Sequence, residues 1–339
     1  MLREGGQVRP AVLAGGLLAA LGLLVLVAAA SVALGARSIP LQTVLDALAA
    51  PGASSDHTVV REVRIPRTLL GIGVGAALGL AGALMQSLTR NPLADPGLLG
   101  VNEGAALGVT VAMGLLGLSD PAVYVWFAFA GAALASVAVY ALGSAGRSGA
   151  GPVRLALAGV ALGMVCTAAA SAILRIDPET FDRMRFWLTG SLAGQTPDVL
   201  VRLAPFLVAG LVLGLLLARP LNMLSLGDDA GKALGVAVTR TRMLTAVAVT
   251  LLCGSATAAA GPLWFVGLAV PHAVRAVVGH DQRWVLPYSA LVAPVLLLAA
   301  DVVGRLVAAP GEVQVGIMSA VIGAPLFILM ARRRRLAAL

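Results

Sequence analysis

Residues Ala11 to Gly35 read AVLAGGLLAALGLLVLVAAASVALG, a stretch with no charged side chain. About 20 apolar residues in a helix cross the hydrocarbon layer of a bilayer, so this stretch is long enough to span on its own. It follows Arg3 and Arg9 as the apolar part of a signal peptide does, but it outruns the roughly 7–15 residues of a signal core. We read it as the first spanning helix, with cleavage near Ser31–Ala33 as the alternative. Ala204 to Ala218 is a second run without charge. Over its 339 residues the chain is 59% hydrophobic and 12% charged, about half the charge of an ordinary soluble domain. Its class is all-α and polytopic, a single transmembrane domain over residues 1–339.

Ten spans fit the pattern: 11–35, 68–89, 97–118, 121–143, 154–174, 202–218, 243–260, 262–279, 285–308 and 313–331. The run from Met243 to Val278 is 36 residues long, too long for one crossing and adequate for two. Gly261–Pro262 supplies the break, because proline cannot continue a helical hydrogen-bond ladder. With the N-terminus inside, fifteen of the 24 Lys and Arg residues fall on the inner side. That bias puts both termini in the cytoplasm.

The net charge of +8 sits between apolar runs rather than on one soluble face. Lipid head groups account for it, and nucleic acid is not an expected partner. Cys166 and Cys253 fall inside apolar runs and read as small buried hydrophobes. His57, His272 and His280 are scattered without metal-ligand spacing, so neither a metal nor a cofactor is expected. His272 follows Pro271, and bonding to backbone groups that the proline frees is the simplest role for it. Gly71, Gly75 and Gly79 recur on one helix face, as do Gly210 and Gly214, and small residues of this kind let helices approach closely in lipid.

The segment from Gly82 to Gly100 is the most polar interruption. Pro92 and Pro96 forbid a regular helix through it, and Gln86, Asn91, Asp95, Asn102 and Glu103 cluster about it. Irregular backbone at membrane depth is buried in protein or lines a water-filled space. Gln86, Asn91, Pro92 and Asp95 are therefore pathway candidates, against the plainer reading of a helix-connecting turn. Gly149-Ala150-Gly151-Pro152, before the fifth span, suits either a gate or a flexible turn.

The loop from Arg219 to Arg242 holds Asp228 and Asp229, placed to favour a helix N-terminus, and Gly235, placed to stop that helix. Gly227-Asp-Asp-Ala-Gly-Lys-Ala233 imitates a phosphate-binding loop but is one residue short, and Ala233 lacks the hydroxyl that meets magnesium. The chain is not expected to hydrolyse ATP or to be an enzyme, since no nucleophile–base or metal constellation stands out.

Taken in order, several motifs resemble the permease family of iron–siderophore and cobalamin ABC importers. They are Arg64-Ile-Pro-Arg67, Arg90-Asn-Pro-Leu-Ala-Asp-Pro-Gly-Leu-Leu-Gly100, Leu157-Ala-Gly-Val-Ala-Leu162 and Trp187-Leu-Thr-Gly-Ser-Leu192. Then follow Leu224-Ser-Leu-Gly227 with Ala233-Leu-Gly235, Phe265-Val-Gly-Leu-Ala-Val-Pro-His272, Ala300-Asp-Val-Val-Gly-Arg305 and Gly323-Ala-Pro-Leu-Phe327. The resemblance implies a type II importer permease of ten helices, paired with a second permease copy as a homodimer or paralogous heterodimer. It also implies two cytoplasmic ATPase subunits, an extracytoplasmic substrate-binding protein, and a path lined by the fifth and tenth helices. The 219–242 loop would be the coupling segment that docks in the ATPase, through Leu226, Gly227, Asp228, Asp229, Ala233, Leu234 and Gly235. In the family, arginines matching Arg64, Arg67 and Arg305 receive acidic residues of the binding protein.

Physical reading of those arginines is mixed. Pro66 suits the first turn of the second helix, where the dipole opposes positive charge, so something else favours Arg64 and Arg67. Lipid phosphates, Glu62 and a docking partner all qualify, and Asp301 stands one turn before Arg305 as a ready ion pair. The tail from Trp264 to Arg335 is more similar to siderophore permeases, catecholate-type ones above all, than to cobalamin ones. Ferric siderophore is the expected cargo, with cobalamin or haem as the alternative within the family. An ion-coupled secondary transporter is the reading outside it, and that would need intramembrane carboxylates which the spans hold only at Glu103 and Asp301.

Overall fold

The computed structural model describes residues 3–4, 7–8, 10–50, 52, 54–144, 152–195 and 197–333. Ten of its helices fall on the ten expected spans. They are α1 (Pro10–Ala33), α2 (Ile65–Thr89), α3 (Val101–Thr110), α4 (Pro121–Ser144), α5 (Pro152–Ile176), α6 (Pro197–Leu216), α7 (Val238–Ala260), α8 (Val266–Val278), α9 (Gln282–Val307) and α10 (Val315–Arg333). Apart from a two-residue ladder at Arg3–Glu4 and Gln7–Val8, the described elements are helical.

Among the described residues seven helices are long and apolar enough to cross a bilayer, and three apolar helices are shorter: Val101–Leu115, Val266–Val278 and Val315–Pro325. At 1.5 Å per residue, a 13-residue helix such as α8 reaches only about 20 Å of the roughly 30 Å hydrocarbon layer. Irregular chain precedes both α3 and α8, and of the pathway candidates Asn91, Pro92 and Asp95 lie in the first of these segments while Gln86 lies within α2.

Helix α2 packs in the interior, against α7, α8 and α9, and most of its span is buried. The glycine face expected to allow close packing meets α9 directly. A Cβ on Gly75 would stand 2.5 Å from the Cα of Pro294, and one on Gly79 only 2.3 Å from the carbonyl of Ser289. The same device, unread in the sequence, brings α2 onto α8 through Gly82 and α3 onto α4 through Gly104 and Gly131. Gly210 and Gly214 receive the leucines of α7 and α2. By contrast α1 is mostly exposed, as a lipid-facing helix is.

One boundary differs from expectation. Helix α2 does not begin at Pro66, because helical chain runs unbroken from Ser55, through a widened turn at Val59–Arg64. That wide turn precedes the proline, whose ring clashes with the carbonyl four residues back and whose nitrogen donates nothing. Arg64 and Arg67 therefore lie well inside a continuous helix. The N-terminal dipole penalty, which fades within a turn, does not act on them.

Candidate functional site

Two irregular segments meet at the base of the groove. Arg90 ends α2 in the left-handed conformation (φ 50°), and Phe265 does the same before α8 (φ 68°). After Arg90, Asn91 accepts from the amide of Leu93 at 2.9 Å, and Asp95 caps the short helix Pro96–Leu99 by accepting from Gly97 N at 2.8 Å. A Cβ on Gly267 would come within 3.1 Å of the Pro96 ring, and one on Gly97 within 3.8 Å of the Trp264 ring. Beside them opens a groove of about 530 Å³ between Asp95, Gly97, Glu103 and Trp264 on one side and Gly159, Gly163 and Thr167 of α5 on the other. A second cavity, of about 230 Å³, shares Glu103, Thr167 and Trp264 and extends to Asn102, Ser171 and Leu188. One carboxylate oxygen of Glu103 is buried there with no partner among the described residues.

The pathway candidates separate. Asp95 lines the groove, and Asn91 and Pro92 shape the loop that carries it. Gln86 does not face it: it is fully buried, donates to the carbonyl of Leu268 at 3.2 Å, and accepts from Arg275 of α8. Its role in this structure is to join α2 to α8. Gly149, Ala150 and Gly151 lie outside the described residues, and Pro152 opens α5.

The 219–242 loop forms the short helix Asp228–Ala233 with acidic residues in its first turn, and Gly235 follows at φ 85°. Leu226 and Leu234 point outward, 69% and 55% exposed. Asp228 turns inward instead. It accepts from Arg90 at 2.5 Å and from Arg242 at 2.9 Å, while Arg90 also donates to the carbonyl of Leu224. Partial burial pushes the Asp228 carboxyl up, but the two guanidinium groups outweigh it and hold it below the usual carboxylate range. The loop helix is thereby bonded to the residue at which the broken segment starts.

On the opposite face Arg64, Arg67 and Arg305 are all buried. Arg67 grips Asp301 through Nε and Nη2, at 2.7 Å for the shortest contact, and Glu312 through Nη1 at 2.7 Å. Arg305 pairs with Asp301 at 3.0 Å, the expected one-turn ion pair, and also donates to Ser31 and the carbonyl of Leu34. Arg64 donates to the carbonyls of Val32, Ala33 and Arg37. Among the described residues neither Arg64 nor Arg67 pairs with Glu62. The three arginines still line an open crevice of about 350 Å³, with Arg37, Pro310 and Glu312 at its rim.

The described helices form a polytopic bundle broken at a largely apolar groove that carries two carboxylates, with an anchored loop on one face and an arginine crevice on the other. The sequence profile of the FecCD transport family matches residues 23–333, and the chain belongs to that family. It is 49% identical to the ferric enterobactin transport system permease protein FepD of Escherichia coli (strain K12), over 92% of this chain and 93% of that one. It is 40% identical to the Fe(3+)-citrate import system permease protein YfmD of Bacillus subtilis (strain 168), over 90% of each. It is 36% identical to the hemin transport system permease protein HmuU of Yersinia pestis, over 97% of this chain and 98% of that one. A solved metal-chelate type ABC transporter in an inward-facing conformation superposes with a TM-score of 0.81 and 29% identity, covering 94% of this chain and 99% of its own.

Proposed function

We propose that this chain is the permease subunit of an ATP-driven importer that carries ferric siderophore across the cytoplasmic membrane, with both termini inside. The observation that carries the reading is the loop helix bonded through Asp228 to Arg90, where the broken segment that leads to the Asp95 groove begins. The 49% identical relative, named for ferric enterobactin transport, supports a catecholate siderophore as cargo. Relatives named for citrate-bound iron and hemin mark the alternatives, haem or another chelate. An ion-coupled transporter is less well supported: Asp301 is already neutralised by two arginines. Although Glu103 keeps an oxygen in the cavity with no partner among the described residues, the relatives are named as permeases of iron transport and import systems.

In this reading a cytoplasmic ATPase subunit docks on the outward leucines, Leu226 and Leu234, around Gly227, Asp228, Asp229, Ala233 and Gly235. Its movement reaches the groove through Asp228, Arg90 and the Asn91–Gly100 segment. The path forms between α5 and α10 of two permease copies. The apolar side chains that α5 leaves uncovered, Leu157 and Met164 among them, are open to lipid or to such a partner. The inner gate is assigned to Gly149 to Pro152 on family resemblance, with an ordinary flexible turn as the alternative. The substrate-binding protein docks on the opposite side, over the crevice of Arg64, Arg67 and Arg305, and its carboxylates set orientation and on-rate more than raw affinity. This chain binds no nucleotide itself.

Growth of a deletion strain under iron limitation tests the cargo. Ferric enterobactin should fail to support growth without the gene, while unrelated iron sources still do. Normal growth on ferric enterobactin, with failure on haem or ferric citrate, would reassign the cargo.

A further inference from the structure

We propose that Glu312 is an internal stand-in for a partner's carboxylate on Arg67, displaced when an acidic residue of the substrate-binding protein enters the crevice. The proposal rests on the docking reading above and adds what holds the site before docking. The guanidinium of Arg67 has two working edges. One is held by Asp301, which is fully buried and paired to Arg305 as well, so nothing from outside reaches it. The other edge carries Glu312 through Nη1. Glu312 is about one third exposed at the crevice rim, whereas the Arg67 side chain beneath it is buried. An incoming carboxylate meets Arg67 only where Glu312 now sits. A bidentate carboxylate–arginine contact is a strong and directional replacement.

Displacement has a consequence at the start of α10. Glu312 is three residues before α10, and the segment between is pinned at few points. Val313 N–H donates to the carbonyl of Gly304 at 3.1 Å, and Gly316 N–H to that of Gly190 at 3.0 Å. Between them Gln314 buries an oxygen with no partner among the described residues, and Trp187 buries its indole N–H the same way. Both residues line one cavity of about 330 Å³. A buried polar atom gains by finding a partner, so a shift of this segment that pairs these atoms is favourable. The cavity gives it room to move. Glu312 on Arg67 holds this segment together with the Val313 and Gly316 hydrogen bonds and the buried Val315 side chain, and exchange of carboxylates loosens the start of α10.

The test uses the permease–ATPase complex in lipid nanodiscs and purified, siderophore-loaded binding protein. Glu312→Gln removes the competing charge at nearly constant shape. Binding should tighten about two- to fivefold, the strength of a partly exposed ion pair, and more so at low salt. Gln314→Cys, read by maleimide labelling, should react faster once the binding protein docks, and fast without it when combined with Glu312→Gln. Unchanged affinity in Glu312→Gln, while Arg64→Gln weakens binding, overturns the stand-in and leaves docking intact. If neither substitution alters affinity, the docking reading falls and this proposal with it. Labelling of Gln314→Cys that ignores both docking and Glu312→Gln overturns the loosening step.

Discussion

Asp301→Asn is the substitution whose cost the geometry fixes best. Asp301 is fully buried and accepts from Arg67 at 2.7 Å and from Arg305 at 3.0 Å. Asparagine keeps the shape but removes the charge and turns an amide donor toward two guanidinium groups that can only donate. Breaking a buried pair by deleting one partner costs about 3–5 kcal/mol, because the remaining charge is stranded. Here two charges are stranded. Arg67 keeps Glu312, and Arg305 keeps Ser31 and the Leu34 carbonyl, so each retains some compensation and the total stays near about 4–5 kcal/mol. Equilibrium unfolding in mixed detergent and SDS, followed by tryptophan fluorescence, reads the loss. The double variant Asp301→Asn with Arg305→Met should recover more than about 1 kcal/mol, since it removes one stranded charge and the two sites are coupled. A loss below about 1 kcal/mol for Asp301→Asn, the level of an exposed surface pair, would refute the buried-cluster reasoning.

Two further outcomes follow from the same structure. Leu234→Asp puts a charge on the outward face of the loop helix and should abolish co-purification of the ATPase while membrane insertion is unchanged; normal co-purification would remove that face from the docking surface. Gly82→Ala sets a methyl group 1.8 Å from the carbonyl of Gly267, so α2 and α8 must separate and the protein should fail to accumulate, whereas Gly22→Ala, where a Cβ meets nothing within 4 Å, should be silent.

The spans were legible because apolar length and charge spacing are local properties. Even the cut at Gly261–Pro262 appears where proline chemistry puts it, between α7 and α8. The acidic start and glycine stop of the loop helix were legible for the same reason. What the sequence hid was pairing at long range. Asp301 announced Arg305 four residues on, yet its partner Arg67 is 234 positions away, and no local pattern carries that. Arg64 and Arg67 looked opposed by the helix dipole and in need of lipid phosphate, Glu62 or a docking partner; the continuous helix from Ser55 removes the dipole argument, and Asp301, Glu312 and backbone carbonyls supply the partners. Gln86 looked like a lining residue because it neighbours the broken segment. A turn of α2 carries it toward Arg275, a buried cation whose need for an acceptor outweighs any claim of the groove.

Uptake of ferric siderophore into proteoliposomes, reconstituted with the ATPase subunits and supplied with loaded binding protein, tests the central claim most directly. The account predicts accumulation that requires enclosed ATP at the ATPase face and persists when a protonophore and a sodium ionophore collapse the ion gradients. Uptake without ATP that stops when those gradients are collapsed would contradict it.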